Sequence, residues 1–103
     1  KQLLDLVKEA EPAEIHFLVG CAPVVAPCYY GVAMATKKEL IAANYSTEEI
    51  QKQLGIDSLG YITIPALVEA IGMPKENLCL GCLNEEYPTE IPEGLEAETY
   101  YKP

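Results

Sequence analysis

Apolar positions along the chain change period several times, and each change marks an element. Leu3, Leu6, Val7 and Ala10 recur at helical spacing from the first residues, which predicts a helix with those side chains turned inward. Glu11-Pro12-Ala13 breaks it. Residues 15–19, Ile-His-Phe-Leu-Val, form a short, mostly apolar run closed by Gly20 and read as a buried parallel strand. Residues 59–64 are β-rich and alternate only in part, which suits another short strand. Two capping boxes stand between these runs. Thr36-Lys37-Lys38-Glu39 opens a helix carrying Leu40 and Ile41, and Ser46-Thr47-Glu48-Glu49 opens one carrying Ile50 and Leu54, with Gly55 as a left-handed stop. Pro65 starts a further helix through Leu67, Val68 and Ile71 that stops at Gly72. From Met73 onward no period survives.

A helix followed by a buried strand is half of a βαβ unit whose first strand is missing. There is no initiator Met and no Ser, Thr or Asp before Lys1, so the chain reads as cut from something longer, with its missing neighbours upstream. Residues 21–35 contain Pro23, Pro27 and Gly31 and form an irregular loop after a strand's carboxyl end, where ligands gather in α/β proteins. From Asn84 the chain holds three prolines and six glutamates. The expectation is one domain over residues 1–90 and an acidic tail, residues 91–103, lying over the surface.

Composition narrows the function classes. With 103 residues, 50% of them hydrophobic, and a mean hydropathy of +0.06, one globular domain with a core that needs no staples is expected. Seven lysines and no arginine against sixteen acids give a net charge of -9. That argues against nucleic acid and anionic membrane surfaces as partners. A phosphorylated substrate would need cations or a metal from outside this chain. No run approaches the apolar length that spans a membrane.

The candidate chemistry lies in four cysteines. Cys79-Leu80-Gly81-Cys82 puts two thiolates on one tight loop, close enough for a single metal centre, and Cys28 and Cys21 are the candidates for further ligands. The chain does not read as secreted, so a structural zinc or iron-sulfur site comes first, ahead of plain buried or redox-active thiols and of disulfides; spacing leaves all three open. His16, inside an apolar strand, reads as a buried, hydrogen-bonded histidine. Tyr29 and Tyr30 pack around the cysteine loop, and Asp57 is a turn acid. Lys37 and Lys38 oppose the dipole of a first helical turn, a weak sign of anion binding beside the better reading of a solvated face.

Several separate blocks recur in order in one known family. Tyr30-Gly31 with Met34 and Thr36, Glu39-Leu40-Ile41-Ala42-Ala43-Asn44, Ser46, Glu48-Glu49-Ile50, Gly55-Ile56-Asp57-Ser58-Leu59, Cys79-Leu80-Gly81-Cys82 and Tyr87-Pro88-Thr89-Glu90 resemble the C-terminal part of glutamine phosphoribosylpyrophosphate amidotransferase. The resemblance runs from Leu3 to about Glu90. It implies the C-terminal portion of a type I phosphoribosyltransferase-like parallel α/β sheet with flanking helices and an irregular cysteine-bearing tail. It also implies a cytoplasmic, glutamine-dependent, glycosyltransferase-class enzyme that makes 5-phosphoribosylamine at the first step of purine synthesis. In the family's cluster-bearing branch, a 4Fe-4S cluster is held by one upstream cysteine, one in a Pro-Cys-Phe-Tyr-Gly segment and two in a Cys-Leu-Ala-Cys segment. By resemblance the last three are Cys28, Cys79 and Cys82, and the fourth ligand lies outside this chain.

The same resemblance places the phosphoribosylpyrophosphate loop just before Lys1 and leaves the glutaminase cysteine and the magnesium-binding acids elsewhere. The chain alone is therefore expected to be inactive. Its partners are the upstream phosphoribosyltransferase and glutaminase segments, in a homo-oligomer. It departs from the family at Ala33 and Ala35, where an acid and a proline are usual, at Cys21 and Ala22 in a Ser-Pro-Pro segment, and at Leu18 in place of a basic residue. The alternative is a stand-alone, non-catalytic metal-binding or interaction module in which Cys21 supplies the fourth thiolate; zinc suits such a site because it accepts tetrahedral thiolates and is not oxidised.

Overall fold

Ser46 starts the best-formed helix by satisfying both ends of a reciprocal cap. Its hydroxyl accepts from the Glu49 amide at 3.2 Å, while the Glu49 carboxylate accepts from the Ser46 amide at 2.8 Å. The helix Thr47–Leu54 ends at Gly55, whose φ of 63° is the left-handed stop expected from sequence. The computed structural model describes residues 1–31 and 36–93. Its elements are α1 (Gln2–Lys8), β1 (His16–Val19), α2 (Ile41–Asn44), α3 (Thr47–Leu54), β2 (Ser58–Tyr61), α4 (Ile64–Ile71), a 3-10 turn at Lys75–Asn77, and α5 (Gly81–Asn84). Ala33 and Ala35, and the tail beyond Glu93, lie outside the described residues.

The two strands pair in parallel, with His16 opposite Ser58 and Val19 opposite Tyr61. Asp57 extends this pairing: its amide donates to the Ile15 carbonyl at 2.9 Å and its carboxylate accepts from the Ile15 amide at 2.7 Å. The expected turn acid is thus also the tie at the start of both strands. Leu18 stands opposite Gly60, where an added Cβ would meet the Leu18 Cδ2 at 3.0 Å. β2 stops at Tyr61, short of the expected residue 64, because Thr63 turns the chain into a helix. Its hydroxyl accepts from the Ala66 amide at 3.3 Å, and Pro65 sits in the first turn, where its missing N–H costs nothing. α4 ends at Gly72 as expected.

Three expectations are corrected. β1 is not buried: its residues alternate between exposed and half-buried, because among the described residues the sheet has two strands and one edge of each is free. α1 forms, but its inward face is Leu4, 6% exposed, while Leu3 and Leu6 are 65% and 62% exposed. Ala10 lies past its end, and the helix is anchored by Lys8, whose Nζ donates to the Leu54 carbonyl at 2.7 Å, a cation on the last turn of α3. The Thr36 box closes a turn without starting a helix. The Thr36 amide and hydroxyl both donate to Glu39, holding that carboxyl below its usual range, but α2 begins at Ile41. The Asn44 amide reaches the carbonyls of Lys37, Lys38 and Leu40 and satisfies as a turn what a helix would have satisfied as a ladder.

The core is also smaller than the composition suggests. Among the described residues, Leu4, Ala22, Ala26, Ile50, Ile56 and Leu80 are the buried apolar side chains. Ala22 and Ala26 belong to the cysteine loop and Leu80 to the Cys79-Cys82 turn, so a good part of the buried surface lies next to the candidate site. Among the described residues, no helix is long and apolar enough to cross a membrane.

Candidate metal centre

The loop after β1 and the turn at α5 meet through their backbones. The amides of Val25 and Ala26 both donate to the Cys82 carbonyl, at 2.9 and 3.1 Å. A short helix forms at α5 because the Leu83 and Asn84 amides return to the Leu80 carbonyl and the Glu85 amide to that of Gly81. Glu85 then takes φ 61° and ends the helix. This element was not legible in the sequence, since four residues carry no period.

These contacts join the loop that carries Cys21 and Cys28 to the turn that carries Cys79 and Cys82, and all four cysteines are free thiols. Burial pushes the Cys82 thiol up from its usual range; its own amide works against that rise, and the charges of Cys21, Cys28 and Cys79 add to it. Cys28 accepts a hydrogen bond from the Tyr30 amide at 3.4 Å, the kind of amide-to-sulfur contact that stabilises a liganding thiolate. Cys79 is exposed, and the other three are half-buried. Soft thiolates on two sequence-distant segments suit zinc or an iron-sulfur group in kind. In placement, no three His, Cys, Asp or Glu side chains among the described residues stand as a group that could hold a metal ion.

Aromatic side chains pack around this centre, as expected for Tyr29 and Tyr30, but the organising ring is Tyr87. It meets Tyr29 edge-on with centroids 5.0 Å apart and lies tilted to Tyr30 at 6.3 Å. Its hydroxyl donates to the Pro27 carbonyl at 2.7 Å, and the Tyr30 and Thr89 hydroxyls lie 2.9 Å apart. Burial, with the charges of Tyr29, Glu85, Cys82 and Cys28, pushes the Tyr87 phenol up to about 12. In the sequence the only sign of this role was the Tyr87-Pro88-Thr89 block. Lys37, read as part of a solvated face, pairs with Glu85.

His16 is bonded but not buried. Its Nδ1 lies 2.6 Å from the Ser58 hydroxyl and its Nε2 2.8 Å from the Glu14 carboxylate, with the His16 side chain 55% exposed. The free face of β1 explains the difference.

No family model matches the chain. Its fold is similar to two solved structures: the glutamine phosphoribosylpyrophosphate amidotransferase from B. subtilis complexed with ADP and GMP, at a TM-score of 0.79 and 34% identity over 88% of this chain and 21% of that one; and the allosteric regulatory enzyme of purine biosynthesis, at 0.81 and 32% over 90% and 21%. The architecture is thus part of an α/β fold of the type I phosphoribosyltransferase class. Among curated relatives, the amidophosphoribosyltransferase of Methanothermobacter thermautotrophicus is 52% identical over 95 residues, 92% of this chain and 20% of the relative. That of Methanocaldococcus jannaschii is 47% identical over 88% and 19%, and that of Bacillus subtilis 34% over 88% and 20%. The chain is homologous to one segment of the amidophosphoribosyltransferases and spans about a fifth of the length of these relatives.

Proposed function

We propose that the chain is the C-terminal segment of an amidophosphoribosyltransferase, which makes 5-phosphoribosylamine from phosphoribosylpyrophosphate and glutamine in the cytoplasm. In this reading the chain carries three ligands of a 4Fe-4S cluster, Cys28, Cys79 and Cys82, and an upstream segment supplies the fourth. The observation that carries it is the 52% identity over 92% of the chain to a relative of that name. The backbone bonds of residues 25–26 to Cys82, which join the loop carrying Cys28 to the turn carrying Cys79 and Cys82, support the reading. The cluster would tie the loop to the turn and take no part in the transfer. The phosphate loop, the magnesium acids and the glutaminase belong to the remaining four-fifths of the enzyme, and the functional unit is a homo-oligomer.

One observation favours a second reading. Cys21 is among the thiols whose charge reaches Cys82, so a stand-alone module could close a zinc site with Cys21 as the fourth thiolate. Iron, sulfide and zinc analysis with visible absorbance, on anaerobically prepared Cys21→Ser and Cys28→Ser chains, separates the two. Loss of metal in Cys28→Ser and its retention in Cys21→Ser supports the first; the reverse overturns it. The wild-type chain, alone with magnesium, is expected to release no pyrophosphate from phosphoribosylpyrophosphate, and micromolar binding in a calorimetric titration would contradict that.

A further inference from the structure

Tyr87 touches both cysteine-bearing segments at once. On one side its hydroxyl holds the carbonyl of buried Pro27, the residue before Cys28, and its ring meets Tyr29, the residue after it. On the other side the ring lies on Gly81, between Cys79 and Cys82, so closely that a Cβ there would stand 2.4 Å from the Tyr87 Cδ1 and 2.6 Å from Cε1. Gly81 is buried. Its φ is not in the left-handed region, so what a side chain would meet here is the Tyr87 ring and not a strained backbone. The segment that carries Tyr87 is fixed at both ends, by the Lys37 ammonium on Glu85 and by the Tyr30 hydroxyl on the Thr89 amide and hydroxyl.

We infer that Tyr87 is the positioning residue of the two cysteine-bearing segments: its ring fills the space of an absent Gly81 side chain while its hydroxyl holds the Pro27 carbonyl, clamping the segment that carries Cys28 to the turn that carries Cys82. The inference rests on the reading that these cysteines act together. It adds that their spacing is set by an aromatic residue that ligates nothing. A single phenol is well suited to this, because a rigid ring with one polar tip joins an apolar seat to a fixed acceptor at small entropic cost.

The test is site-resolved alkylation by iodoacetamide of the reduced, metal-free, full 103-residue chain, read by mass spectrometry, together with cobalt(II) titration. Tyr87→Phe keeps the ring and loses one hydrogen bond, so alkylation of Cys28 and Cys82 is expected to rise about threefold to tenfold. Gly81→Ala displaces the ring and is expected to raise it at least as much. The double variant should exceed the larger single effect by little, since both break one clamp. Ser46→Ala, which weakens a helix cap away from the site, controls for general destabilisation and should leave both rates near wild type. Should Gly81→Ala fail to fold, Tyr87→Phe against Ser46→Ala still decides. Wild-type rates in Tyr87→Phe, an equal rise in Ser46→Ala, or additive single effects overturn the clamp. The cobalt arm tests the underlying reading by itself: a thiolate-to-cobalt band in wild type, with weaker binding in Tyr87→Phe, supports both, whereas no band in wild type rejects the ligand set and leaves the alkylation result to judge the clamp.

Discussion

Asp57 and Ile15 exchange two hydrogen bonds across the start of the sheet, the Asp57 amide giving to the Ile15 carbonyl and the Ile15 amide to the Asp57 carboxylate at 2.7 Å. One residue thereby fixes the register in which His16 faces Ser58. Asp57→Ala is expected to cost about 1 kcal/mol, a charge-assisted bond discounted for its exposure. Urea unfolding followed by circular dichroism measures it, and a midpoint equal to wild type would show that the backbone ladder alone sets the register.

Helix α3 depends on a cap rather than on a long apolar stripe, since Ile50 is its one buried residue. Replacement of Ser46 by alanine removes one half of the reciprocal pair and is expected to destabilise the chain by about 1 kcal/mol. Ser46→Asp, which can still accept from the Glu49 amide, should recover most of the loss in the same unfolding experiment.

The inward face of α1 can be tested by contrast. Leu4→Ala is expected to cost about 2 kcal/mol, the low end for a buried leucine in so small a core. Leu6→Lys, at a position 62% exposed, should shift stability by no more than about 0.5 kcal/mol. Equal losses from the two substitutions would mean that the helix packs on a different face.

The Tyr87 phenol gives a pH signature. Its folded-state value is about 12 against an ordinary 10.0, so the folded chain keeps a proton that the unfolded chain releases. Its contribution is fully present below pH 10 and is lost as pH rises through about 12. The charged groups that raise it are Tyr29, Glu85, Cys82 and Cys28. Ultraviolet titration should show a late-ionising tyrosine component, and that component should vanish in Tyr87→Phe.

Residues close in sequence determined the punctuation of this chain. Ser46 with Glu49, the left-handed glycines at 55 and 72, and the proline in the first turn of α4 act within one helical turn, so their outcome does not depend on what packs nearby. The two strands and the segment of known enzymes to which the chain corresponds were also legible, the first from apolar runs and the second from ordered blocks of residues. What only the tertiary structure decided depends on neighbours. An apolar period states that a face can be buried but not against what, so Leu4 lies inside while Leu3, Leu6 and Leu18 lie outside, and His16 is bonded yet exposed. The Thr36 box ends as a turn because Asn44 takes the carbonyls that a helix would have used. Cys79 and Cys82 sit on one turn by their spacing, but the meeting of that turn with the loop that carries Cys28, across fifty intervening residues, follows from the backbone bonds of residues 25–26 to Cys82 and from the Tyr87 ring on Gly81. These are contacts between segments far apart in the chain, and no local period encodes them.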